Sequence, residues 1–122
     1  MEPVNITEPA ILLCINRLFR SGMSGPHLYD ITRGVWAARS EQRSRVQLAF
    51  AVFHGRIVEV YQIQKWHRAG TTPYASRRQI DLAAHANDWE FTGAPAPSEI
   101  RDKYVDQRAP RFWGNPIRYL NT

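Results

Sequence analysis

The side chains with which this chain could do chemistry are mainly its four tryptophans and fourteen arginines. Trp36 follows Arg33-Gly34. Trp66 closes a long strand-like run beside Lys65, His67 and Arg68. Trp113 sits in the polar stretch Arg111-Phe112-Trp113-Gly114-Asn115. Aromatic rings interleaved with arginines supply base stacking and phosphate neutralisation together, with about 1–3 kcal/mol per stacked base. Trp36, Trp66 and Trp113 are therefore candidate ligand-binding residues, with Asn115 beside the last of them. Trp89, at the start of a short apolar run, is expected to fill the core. Arg33, Arg39, Arg43, Arg45 and Arg68 complete the candidate set. Arg39, Arg43 and Arg45 lie between Trp36 and a hairpin, and with Arg56, Lys65 and Arg68 they make one face for a phosphate backbone. Taken singly, each reads equally well as part of a solvated, arginine-rich surface.

The charge is unevenly placed. Arg33 to Arg78 holds nine basic residues against Glu41 and Glu59, a local charge of +7 in a chain whose net charge is +5. A basic middle with a near-neutral remainder points to phosphate, nucleic acid or an acidic protein surface. Other chemistries lack their residues. His27, His54, His67 and His85 have no neighbour at metal-ligand spacing, so no metal or other cofactor is expected. Ser24 and Ser44 lack a G-x-S-x-G frame. Glu99 and Asp102, beside Arg101 and Lys103, read as a solvated helix face. Gly22 and Gly25 flank a turn without the lysine of a phosphate loop. Cys14, inside an apolar run, reads as packing. The chain is expected to bind rather than to catalyse.

These residues need elements to position them. The length of 122 residues and an apolar fraction of 43% suit one domain, residues 1–122, with its own core. Ala10 to Ile15 reads as a buried first strand. Ser24 caps a helix with Pro26 in its first turn and Gly34 as its stop. Ser40 to Arg45 forms one helical turn. Val46 to Phe53 and Arg56 to Trp66 alternate around His54-Gly55, a hairpin by pattern and turn chemistry. A possible insertion spans about 69–87, and within it Ser76 to Ala86 reads either as a helix or as an ordered irregular segment. Trp89 to Thr92 is a short strand, Ser98 caps a helix to about Asp106, and Pro116 to Leu120 closes the chain. This order gives an α+β fold, a small and mostly antiparallel curved sheet or barrel with two or three short helices.

The hairpin Leu48-Ala49-Phe50-Ala51-Val52-Phe53-His54-Gly55-Arg56-Ile57-Val58-Glu59-Val60-Tyr61-Gln62-Ile63 resembles the core of PUA-like domains, among them the EVE, ASCH and YTH groups. The later Glu90-Phe91-Thr92-Gly93 strand, a short helix and a final strand follow in similar order. The resemblance covers about half the chain, and the lysine and glutamate signature of the ASCH group has no counterpart. It implies a PUA-like fold that binds RNA or DNA, with one extruded or modified base held in an aromatic pocket. The expectation is a nucleic-acid-binding module; the alternative is a small inhibitor or adaptor that binds protein through its aromatic and arginine anchors. No membrane-spanning run is present, and the Met1-Glu2-Pro3-Val4 start lacks a signal peptide's basic and apolar regions, so a cytoplasmic setting is expected.

Overall fold

The computed structural model describes residues 2–38, 40–76, 87–112 and 114–122. The stretch read as helix or insertion, Arg39 and Trp113 fall wholly or largely outside the described residues. The chain builds β1 (Ala10–Cys14), α1 (Gly25–Arg33), a 3-10 helix (Glu41–Arg45), β2 (Leu48–Phe53), β3 (Arg56–Arg68), β4 (Trp89–Pro95), α2 (Ser98–Tyr104) and β5 (Ile117–Leu120). One open five-stranded sheet runs in the order β4-β3-β2-β1-β5. Three of its four pairings are antiparallel; β1 and β2 run parallel, with α1 in the crossover between them. The fold is thus α+β with a mostly antiparallel sheet.

Ala-Ile-Leu-Leu-Cys and Leu-Ala-Phe-Ala-Val-Phe are continuous apolar runs because β1 and β2 lie inside the sheet and are covered on both faces. Ala10, Leu12, Leu48, Phe50 and Val52 face Tyr104 and the α2 side; Ile11, Leu13, Ala49 and Ala51 face Ile31 and the α1 side. The Ser24 hydroxyl caps α1, accepting from His27 N–H at 3.3 Å. Ser98 takes a different place from the expected one. It is the first residue of α2, and Pro97 occupies the cap with no side-chain hydrogen bond.

The hairpin turn has φ of 47° at His54 and 80° at Gly55, the positive pair that matches the twist of its strands. β3 then extends past the expected Trp66 to Arg68. Its first half pairs with β2 and its second with β4, across a register shift between Ile63 and Lys65. Gly93 stands opposite that shift, where a Cβ would collide with the Gln62 carbonyl oxygen. The shift sets which side chains of β3 and β4 share a face. No helix among the described residues is long and apolar enough to cross a membrane.

Candidate functional site

The basic residues named from sequence divide between two environments. The first lies at the end of α1, where Asp30, Thr32 and Arg33 are buried. The Arg33 guanidinium donates to the Thr72 hydroxyl at 2.7 Å and to the Pro73 carbonyl, and its carbon lies 3.6 Å from the Tyr74 ring centroid. Glu90 Oε2 is 3.9 Å away and Asp30 Oδ1 is 3.8 Å away. Glu90 accepts from Gly70 N–H at 2.6 Å, Thr72 N–H at 2.9 Å, the Thr72 hydroxyl, and the Tyr74 hydroxyl at 3.0 Å. Asp30 accepts from the backbone N–H and hydroxyl of Ser76 at 2.6 and 2.8 Å. These charges are paired and bonded, as buried charges must be. Their chemistry is to hold residues 70–76 against α1 and β4. Arg33, 2% exposed, therefore sits inside the molecule rather than on the phosphate-facing surface that its sequence context suggests.

The second environment lies at the end of the sheet formed by the start of β4, the end of β3 and the 3-10 helix. Ser40 caps that helix by accepting from Gln42 N–H at 3.2 Å, and the turn carries Arg43 back over β4. Arg43 donates to the Ala38 carbonyl at 2.5 Å, and its guanidinium carbon lies 3.5 Å from the centroid of the Trp89 ring. Arg68 is paired with Trp89 in the β3–β4 register and brings a second guanidinium carbon to 4.4 Å. Trp36 joins Trp89 through backbone hydrogen bonds of 3.0 and 2.8 Å, and its indole N–H donates to the Thr32 carbonyl at 2.7 Å. An open concavity of about 480 Å³ is lined by Arg43, Arg68, Asn87 and Trp89.

The electrostatics of the two arginine sites are opposite. Among the described residues no carboxylate pairs with Arg43 or Arg68. Burial lowers the Arg43 pKa, Tyr119 opposes that shift and Arg68 adds to it, yet a guanidinium stays charged at neutral pH. Burial raises the Tyr119 phenol, partly offset by Arg43. The Tyr119 hydroxyl is buried with no hydrogen-bond partner among the described residues. Two cations stacked on one ring beside an open hollow form a place suited to an anion.

Comparison with known protein families, curated proteins and solved structures finds no match for this chain.

Of the residues named from sequence, Arg43 and Arg68 meet on Trp89, with Trp36 tied to the same residue's backbone. Arg45 is exposed at the end of the same 3-10 helix. Trp66 packs edge-on against Phe91 at 5.4 Å, against the core on the α1 side. Asn115 accepts from Ile117 N–H at 2.9 Å at the start of β5, the far end of the sheet. Trp89, expected as core filler, packs partly buried against the core on the α1 side and is also the ring on which the arginines stack. The register shift near Ile63 places it opposite Arg68, and the one local mark of that shift is Gly93, which does not by itself give the face of Trp89. Asn87 and Tyr119 carry no sequence signal for their places here either. Among the described residues no three His, Cys, Asp or Glu side chains converge as metal ligands would.

Proposed function

We propose that this chain is a nucleic-acid-binding module that contacts the phosphate backbone through Arg43 and Arg68 on the Trp89 platform. The observation that carries this reading is the pair of guanidiniums stacked on one indole, with no carboxylate paired to them among the described residues. A phosphate entering the hollow neutralises both cations, and the ring holds them in place before it arrives, which lowers the ordering cost of binding. Arg45 on the neighbouring turn extends the basic face along a strand. The resemblance of the hairpin to PUA-like domains, which bind RNA or DNA, supports the same reading, including a PUA-like arrangement of the sheet. The chain binds and does not turn over its ligand.

The test is equilibrium binding to single- and double-stranded DNA and RNA over a range of salt concentrations. Each neutralised phosphate contributes about 0.9 to the slope of log affinity against log salt on duplex DNA, and about 0.7 on single strands. Arg43→Ala with Arg68→Ala is expected to lower affinity for every sequence and to reduce the slope by the amount due to one or two phosphates. Salt-insensitive 1:1 association with a protein, and none with nucleic acid, assigns the same surface to a protein partner instead.

A further inference from the structure

The hollow beside Trp89 is lined, among the described residues, by Arg43, Arg68, Asn87 and Trp89, two cations and no acid. Both guanidinium carbons lie within 4.4 Å of one ring centroid. Burial lowers the Arg43 pKa and the Arg68 charge lowers it further, so the two cations feel each other. Building on the nucleic-acid reading, we infer that this hollow takes a phosphomonoester, the terminal phosphate of a strand or of a free nucleotide, in preference to an internal phosphodiester.

Charge is the first reason. An internal phosphate of a strand carries one negative charge. A phosphomonoester carries about −1.5 to −2 at neutral pH and exposes three acceptor oxygens. Two cations on one ring are matched by the second kind at a single point, whereas a diester neutralises one and leaves the other. Geometry is the second reason. The Ala38 carbonyl takes one N–H of the Arg43 fork at 2.5 Å and holds the group over the ring. Neither guanidinium makes another hydrogen bond among the described residues. Guanidinium forks match phosphate oxygens, and a terminal phosphate has one more oxygen to offer them than a diester. The ring supplies the third reason. Arg43 lies 3.5 Å from the Trp89 centroid, so the face it covers is closed to a base, and a nucleotide meets that face with its phosphate. The hollow, about 480 Å³, has room for a phosphate with its sugar. Arg45, exposed on the same 3-10 helix, is the next cation for the rest of a strand.

The probe is one single-stranded oligonucleotide in three forms, with a 5′-phosphate, a 3′-phosphate or hydroxyls at both ends. Each is titrated with the full chain at constant salt and read by fluorescence anisotropy. A phosphorylated end is expected to bind about tenfold more tightly than the hydroxyl form, as the gain of one charge-assisted contact would give. Arg43→Ala with Arg68→Ala is expected to abolish that ratio. Arg43→Lys with Arg68→Lys keeps both charges and removes both forks, and is expected to retain general binding while losing most of the ratio. Arg45→Ala is expected to weaken all three forms alike and preserve the ratio. Adenosine 5′-monophosphate and its 3′,5′-cyclic diester, used as competitors, distinguish the two sources of a phosphomonoester. Displacement by the monophosphate as strong as by the phosphorylated strand assigns the hollow to free nucleotides, and displacement by the strand alone assigns it to strand ends. Displacement by the cyclic diester equal to that by the monophosphate overturns the inference. So does equal affinity for the three oligonucleotides, which leaves nucleic-acid binding standing. Absence of binding by all three at low salt defeats nucleic-acid binding itself.

Discussion

Arg33 and Arg43 stand ten positions apart in one basic segment, and the fold gives them opposite work. Arg33 is enclosed with Asp30 and Glu90, and its terminal nitrogens donate inside the molecule while its Nε is buried with no hydrogen-bond partner among the described residues. Arg43 stacks on Trp89 with another cation beside it and no acid paired to it among the described residues. Charge counted along the chain does not separate them. What separates them is whether the fold delivers a carboxylate. Glu90, remote in sequence, reaches Arg33 because β4 adds to the long β3 strand and the 70–76 loop folds over the junction. The same β4 strand carries Trp89, the neighbouring residue whose side chain leaves the opposite face of the sheet. One strand therefore neutralises one arginine and displays the other.

The largest effect is expected at the buried end of this comparison. Arg33→Met leaves Asp30 and Glu90 without their cation, and Glu90→Gln leaves Arg33 short of an anion. Each is expected to destabilise the fold by about 3–5 kcal/mol, the usual cost of breaking a buried pair. The double variant should cost clearly less than the sum, since both changes act on one network. Chemical denaturation of the four proteins checks this, and strict additivity separates the two residues.

Gly34→Ala tests the same region by shape alone. A Cβ there would meet the Tyr74 hydroxyl, with the Glu90 Cβ at 3.0 Å. The expected destabilisation is about 1–3 kcal/mol, as for other overpacked sites, read as a lower midpoint in thermal or urea unfolding. A neutral outcome means that Tyr74 is not held against Glu90.

How far this division is legible in the sequence depends on the length scale. The hairpin follows from strict alternation around His54-Gly55, and both residues take the positive φ the turn needs. The parallel pairing of β1 and β2 is written in their unbroken apolar runs, although the expectation of a mostly antiparallel sheet does not single it out. Arg43 and Arg68 are legible as basic candidates because they flank the hairpin. Trp89 reads as core because its face depends on the shift between Ile63 and Lys65, and the only local mark of that shift is Gly93, with no side chain to collide with Gln62. Arg33 reads as surface because its acidic partner arrives through tertiary structure. Arg39 and Trp113 lie outside the described residues.

At the exposed end the stability effects should be small. Arg43→Ala and Arg68→Ala are each expected to change folding stability by less than about 1 kcal/mol, since neither breaks an ion pair among the described residues. A cost approaching that of Arg33→Met would place Arg43 among the structural arginines.

Glu8 provides a case between the two, half-buried and touched by both a neutral and a charged donor. It accepts from the Tyr104 hydroxyl at 2.5 Å and from Lys103 at 3.4 Å. Burial raises its carboxyl pKa, but the hydrogen bond from Tyr104, a hydrogen bond from its own backbone N–H, and the charge and hydrogen bond of Lys103 together outweigh burial and leave it below the ordinary value of 4.5. A lowered folded pKa means that the carboxylate stabilises the fold above the unfolded value, and that this stability disappears as pH falls through the folded one. Unfolding midpoints of wild type and Glu8→Gln should therefore differ at neutral pH, by less than about 1 kcal/mol, and converge in acid. A gap that persists below the carboxylate range would mean that Glu8 acts through shape rather than charge.

Whether the guanidiniums stacked on Trp89 form a phosphate site is tested most directly by the salt dependence of nucleic-acid affinity. Wild-type protein is expected to bind DNA or RNA with an affinity that falls steeply as salt rises. Arg43→Ala with Arg68→Ala is expected to fold normally, bind weakly and show a slope shallower by about 0.9 for each duplex phosphate no longer neutralised. Folded wild-type protein that shows no binding to any of these nucleic acids at low salt, or a double variant with an unchanged slope, would contradict it.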